Sequence, residues 1–148
     1  MPSLRAETWR AMEEALEAGK CRAIGVSNFT VTHLRELKKT ARVMPMVNQV
    51  EFHPYHVQRE LLAFCREEGI VLQAYASLGG QDAGKRKWET LGGPLLQHET
   101  VAAIARRQAA GAGATPAQVL LRWALQQGVA VIPKSVSESR GDSMAGWH

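Results

Sequence analysis

Three short apolar runs recur in this chain at nearly equal spacing, and each gives way to polar residues. They are Ala23-Ile24-Gly25-Val26, Met46-Val47-Asn48-Gln49-Val50-Glu51-Phe52 and Ile70-Val71-Leu72-Gln73-Ala74-Tyr75, with Ile24, Val47 and Val71 standing 23 and 24 residues apart. Helical patterning precedes and separates them. Residues 4–18 place Trp9, Met12 and Leu16 on one face, with Ser3 as cap and Gly19 as stop. Residues 31–41 turn Val31, Leu34 and Leu37 inward, and 59–68 do the same with Leu61, Phe64 and Cys65 before Gly69. Beyond a loop over 79–94, a helix is predicted at 101–110 with Ile104 and Ala105 inward. Another begins with Thr115 as cap, Pro116 at the first position and Gln118 closing a capping box, and ends at Gly128. A fourth apolar run, Val129-Ala130-Val131-Ile132, follows.

Apolar strands alternating with helices predict an α/β fold with a parallel sheet, wound either as a barrel or in flavodoxin-like fashion. In both windings function gathers at the C-terminal ends of the strands. Those ends are Ser27-Asn28, residues 49–53, residues 75–78 and Lys134-Ser135. Singly, each has a plainer reading. Ser27 and Asn28 can close a strand and cap the next helix. His53 before Pro54 reads as a structural histidine, Tyr75 as a strand aromatic and Lys134 as a surface lysine. Together, after four apolar strands, they form the candidate site.

Length bears on which winding is complete. A closed eight-stranded barrel takes about 250 residues, against 148 here. Eighteen Lys and Arg against fourteen Asp and Glu give a net charge of +4, but the excess is dispersed. Arg5, Arg10, Arg22 and Arg35 alternate with Glu7, Glu13, Glu14, Glu17 and Glu36, as on solvated helix faces. The one basic run, Lys85-Arg86-Lys87, is too short for a nucleic-acid surface, so no nucleic-acid partner is expected. Cys21 and Cys65 fit neither a disulfide framework nor a metal spacing and read as packing residues in a reducing compartment. Met1-Pro2-Ser3-Leu4-Arg5 lacks the apolar core of a signal peptide, and no run approaches the roughly 18–20 apolar residues of a membrane span. A cytoplasmic protein without a membrane partner is expected.

Two motifs fail their context. Gly79-Gly80-Gln81-Asp82-Ala83-Gly84-Lys85 has the glycines and lysine of a phosphate loop, but Arg86 stands where Ser or Thr must hold Mg²⁺. Gly111-Ala112-Gly113-Ala114-Thr115-Pro116 follows a helix instead of a strand and ends in proline, unlike a dinucleotide fingerprint.

The strand ends, taken in order, resemble those of the aldo-keto reductases. Gly19-Lys20-Cys21-Arg22-Ala23-Ile24-Gly25-Val26-Ser27-Asn28-Phe29 is similar to that family's GxxRxIGVSNF signature. Asn48-Gln49-Val50-Glu51-Phe52-His53-Pro54-Tyr55 resembles its NQxExHPY strand, and Ile132-Pro133-Lys134-Ser135-Val136 its IPKS segment. The resemblance implies a partial (β/α)8 TIM barrel of about four βα units, corresponding to strands five to eight. It implies NADPH as the cofactor of a carbonyl or aldehyde reductase. By the same resemblance Ser27, Asn28 and Gln49 would bond the nicotinamide carboxamide, and Tyr75 would stack on the ring. Leu78 would lie along the pyrophosphate, while Lys134, Ser135, Val136 and Arg140 would hold the 2′-phosphate and adenosine. Lys and Arg suit a phosphate dianion.

The chain departs from the family pattern in three places. The family's catalytic Asp, Tyr, Lys and His belong to its first four strands, which these residues do not match; Tyr55 and His53 do not replace the acid. Ala76-Ser77 stands where the family has Ser-Pro, removing one pyrophosphate hydroxyl. After Arg140 the pattern is lost, with Ser143 and Met144 where an acidic and an amide residue belong. Residues 1–140 are therefore expected to form a half-barrel and 141–148, including Trp147, a divergent and disordered tail. The expected function is that of a relative of the NADPH-dependent carbonyl and aldehyde reductases that retains most cofactor-side strand ends, lacks the catalytic tetrad and is inactive alone. The alternatives are a non-catalytic NADPH-binding or interaction half-barrel, self-associating through exposed sheet edges, or an unstable truncated product.

Overall fold

A computed structural model describes residues 2–80, 90–107, 114–139 and 141. In chain order the elements are α1 (Pro2–Glu17), β1 (Gly25–Ser27), α2 (Val31–Lys38), β2 (Val47–Glu51), α3 (Arg59–Glu67) and β3 (Val71–Tyr75). A 3₁₀ turn (Leu95–Gln97), α4 (Glu99–Arg107), α5 (Pro116–Gln126) and β4 (Ala130–Val131) complete them. The four strands form one parallel sheet in the order β1-β2-β3-β4, so β1 and β4 hold its end positions. Two compact units divide the chain, residues 1–50 with 58–73 and residues 51–57 with 74–148.

In the first unit β1 pairs with β2 in the register Gly25↔Val47, Val26↔Asn48 and Ser27↔Gln49. A Cβ on Gly25 would lie 2.7 Å from the Val47 carbonyl oxygen, so only glycine permits this approach of the two strands. Residues alternate along β2 and β3: Asn48, Val50, Leu72 and Ala74 are buried, while Val47, Gln49, Gln73 and Tyr75 are half-buried and Val71 exposed. The helices bury Leu34 and Leu37 of α2 and Leu61, Leu62 and Cys65 of α3. Phe64, expected inside, is half-buried instead and lies 5.5 Å beneath the Arg35 guanidinium.

Helix α1 starts at Pro2, ahead of the expected Ser3 cap, since proline's fixed φ suits a first helical turn. Its end is the one predicted. Gly19 takes φ +69°, with Gly19 N–H donating to Leu16 O and Lys20 N–H to Ala15 O, a Schellman closure. Trp9, Met12 and Leu16 join Ile24 and Leu37 in one apolar cluster. Glu13 shares that stripe and is buried, which corrects the expectation of a solvated charge. Its carboxylate accepts the backbone N–H groups of Arg42 (2.7 Å) and Val43 (2.8 Å), and the Arg42 Nε at 3.4 Å. Trp9 Nε1–H donates to Val43 O at 2.9 Å, so α1 grips the connection between α2 and β2 by both polar groups.

In the second unit α5 has the capping box read from the sequence. Thr115 Oγ1 accepts the Gln118 N–H, Gln118 Oε1 accepts the Thr115 N–H at 2.8 Å, and Gly128 follows at φ +68°. Helix α4 buries Val101 and Ala105, an i, i+4 pair on one face, and leaves Ile104 outside, contrary to expectation. Leu95, Val101 and Leu120 form the core here, with Tyr55, Leu78 and Val119 packed against them. Phe52 stacks on Trp123 at 5.3 Å.

Burial of Glu13 would raise its pKa, but the N–H groups of Val43 and Arg42 and the Arg42 guanidinium outweigh it and hold the carboxyl below the usual carboxylate range. A depressed folded pKa contributes stability above the unfolded value of about 4.3 that is lost as pH falls through the folded one. Thermal melts from pH 7 to pH 2 should therefore show an acid-sensitive loss that Glu13→Gln reduces. Glu13→Ala should lower stability at pH 7 by about 1–2 kcal/mol.

Candidate functional site

The end of β1 is fixed by main-chain geometry before any ligand is considered. Asn28 adopts φ +57°, the left-handed conformation that Asn tolerates better than most side chains. The Gln49 carbonyl accepts both Asn28 N–H (2.9 Å) and Ser27 Oγ–H (3.0 Å). Asn28 Nδ2 in turn donates to Ser27 Oγ at 3.2 Å. Asn48, fully buried, clamps the next residue: its Oδ1 accepts Phe29 N–H (3.3 Å) and its Nδ2 donates to Phe29 O (2.8 Å). Gln49 Nε2 donates to Gln73 Oε1 at 2.7 Å. Three expected site residues, Ser27, Asn28 and Gln49, are thus joined through the main-chain carbonyl of Gln49.

The plainer reading of Ser27 and Asn28 as helix caps is overturned. Thr30 caps α2 by accepting His33 N–H, and Thr30 N–H donates to His33 Nδ1 in return. That leaves Ser27 and Asn28 outside the helix start, on the strand end.

In the second unit Tyr75 closes β3 and is half-buried. Ala76 follows at φ +50°, with Gly79 N–H donating to Ala76 O (2.8 Å) and Ser77 Oγ–H to Ala74 O (3.0 Å), a tight turn. Leu78 on this turn is half-buried and packs against the Leu95 cluster. Beyond β4, Lys134 is exposed and, among the described residues, pairs with no carboxylate. Ser135 Oγ accepts Ser137 N–H (3.1 Å) and donates to Ser137 O (3.2 Å), bending the chain locally, and Val136 is exposed. Arg140, residues 81–89 of the glycine-containing loop, and 142–148 of the tail lie outside the described residues.

His53 and Tyr55 serve the fold. His53 is fully buried with Nε2 2.9 Å from Glu51 Oε1. The Tyr55 hydroxyl contacts the carbonyl oxygens of Leu91 (2.7 Å) and Gly93 (3.2 Å), to which it donates, and burial pushes its pKa up. Cys21 and Cys65 are free thiols; Cys65 is buried, and burial raises its pKa.

Comparison with known proteins establishes the family. The model of the aldo/keto reductase family matches residues 2–146, and the chain belongs to that family. It is 47% identical over 134 residues to a glyoxal reductase of Bacillus subtilis, covering 90% of this chain and 43% of that protein. It is 43% identical over 146 residues to an NAD(P)H-dependent D-xylose reductase of Pyricularia oryzae, covering 95% of this chain and 44% of that one. The crystal structure of an aldo-keto reductase from a Medee basin deep-sea metagenome library superposes with a TM-score of 0.83 at 36% identity, over 99% of this chain and 49% of that one. The chain thus spans less than half the length of these curated relatives and has the fold of part of their (β/α)8 barrel. Among the described residues no helix is long and apolar enough to cross a membrane.

Asn48 and Gln73 were not among the expected site residues; the amide signal was in the sequence, but their partners lie 19 and 24 residues away. Asn48→Ala should leave Phe29 N–H and C=O without their clamp. Hydrogen exchange at Phe29 should accelerate, and denaturant melts should show a loss of about 1–3 kcal/mol.

Proposed function

We propose that this chain supplies the cofactor side of an NADPH-dependent carbonyl reductase. The observation that carries the reading is the hydrogen-bonded set Ser27, Asn28 and Gln49. A primary carboxamide offers one acceptor and two donors, and a hydroxyl with two side-chain amides carries both the donors and the acceptors that complement it. Nicotinamide carries such a group, so the residues present fit it. Tyr75 would present a ring face to the nicotinamide, and the backbone at Leu78 would run along the pyrophosphate. Lys134, with no carboxylate partner among the described residues, would meet the 2′-phosphate together with Arg140, while Ser135 and Val136 shape the segment that carries it. When bound, NADPH supplies the hydride that reduces a carbonyl.

The proton that accompanies hydride must come from an acid beside the carbonyl. Tyr55 is unsuited, because its hydroxyl is engaged with the Leu91 and Gly93 carbonyls and its pKa is raised by burial. His53 is unsuited because it is fully buried against Glu51. The chain by itself is therefore proposed to bind NADPH without turning over aldehydes.

Calorimetry on the purified chain should detect NADPH binding. Lys134→Ala and Arg140→Ala should each weaken it about tenfold or more, the loss of one charge-assisted contact. NADH, which lacks the 2′-phosphate, should be little affected. Absence of NADPH binding by a cooperatively folded chain, or sustained NADPH oxidation with an aromatic aldehyde, would contradict the reading.

A further inference from the structure

The 2.7 Å bond between Gln49 Nε2 and Gln73 Oε1 joins a residue of the proposed cofactor set to one that no part of that reading assigns. Gln73 lies on β3, two residues before Tyr75, so both side chains leave the same face of the strand. Gln49 lies on the adjacent β2, and both glutamines are half-buried. A glutamine amide has a donor end and an acceptor end, and an unrestrained one can present either to a ligand. Gln73 selects between the two ends. Its Oε1 engages the donor end of Gln49, and among the described residues no donor is bonded to Gln49 Oε1.

We infer that Gln73 is a positioning residue that holds Gln49 with its Oε1 presented as an acceptor, so that the site selects a ring substituent bearing an N–H donor. This rests on the cofactor reading above. It adds a selectivity: the nicotinamide carboxamide, with its NH₂, is favoured over an acetyl group of similar shape, which has a carbonyl oxygen and no donor. Asn28 and Ser27 supply hydroxyl and amide groups that can turn to suit either substituent; the acceptor oriented through Gln73 favours the one that carries a donor.

The test compares NADPH with the reduced 3-acetylpyridine analogue of NADP by calorimetry on the full chain. The unaltered protein should prefer NADPH by about tenfold, the scale of one hydrogen bond to a site built for a donor. Gln73→Met keeps the length of the side chain and removes the acceptor. It should weaken NADPH about tenfold and leave the analogue unchanged, so the preference disappears. Gln73→Glu retains an acceptor for Gln49 Nε2 and should restore the preference.

A folded Gln73→Met chain that keeps the preference overturns the inference while leaving the cofactor reading intact. So does equal weakening of both ligands, or a Gln73→Met chain that fails to fold, since either assigns Gln73 to support of the fold. An unaltered chain that folds but binds neither ligand overturns the cofactor reading itself, and this inference falls with it.

Discussion

The buried amide of Asn48 is the constraint on which the candidate site depends. A side chain excluded from water must find partners for its donor and acceptor, and Asn48 finds both on the backbone of Phe29. Breaking either bond leaves a polar group unsatisfied in the interior, so the turn after β1 has one stable position relative to β2. Gly25 acts at the other end of the same strand pair, where the absence of a Cβ lets the backbones approach. Between these two points Ser27, Asn28 and Gln49 have little freedom left. Their network is set by the fold before any ligand arrives, which is the preorganisation that recognition of a small polar group needs.

The two ends of the proposed cofactor call for different physics, and the chain divides them. The amide network on β1 and β2 is neutral, directional and held by main-chain bonds. The segment after β4 carries an exposed point charge, Lys134, whose proposed attraction to phosphate would need little geometric precision. On the proposed reading, specificity for the reacting ring would lie in the strand ends and affinity for the dianion in an exposed segment. The phenol and imidazole nearest in chemistry to a proton donor, Tyr55 and His53, are bonded into the fold of the second unit.

Much of this is legible in the sequence, and the rest is hidden for physical reasons that differ from residue to residue. The strand spacing, the Gly19 stop and the Thr115–Gln118 capping box are local patterns, and the structure carries each of them. Glu13 was misread as a solvated charge because its partners, the N–H groups of Arg42 and Val43, lie 29 and 30 residues away. Thr30 and His33 form a capping box in which imidazole takes the place of the usual Glu or Gln. Ile104 and Phe64 were each off the buried stripe by one helical position. The partners of Glu13 are distant in sequence, the Thr30–His33 box is local but built with an atypical residue, and Ile104 and Phe64 each stand beside a correctly placed buried neighbour, Ala105 and Cys65; composition and periodicity resolve none of these.

The central claim is that a nicotinamide carboxamide meets the amide groups at the ends of β1 and β2. Side-chain amide resonances of Asn28 and Gln49, followed by nuclear magnetic resonance on nitrogen-labelled protein during NADPH titration, test it most directly. The expected result is a saturable shift of both signals that the adenosine 2′,5′-bisphosphate fragment, which has no nicotinamide, does not reproduce. Unmoved Asn28 and Gln49 signals in a folded, NADPH-saturated chain would contradict it.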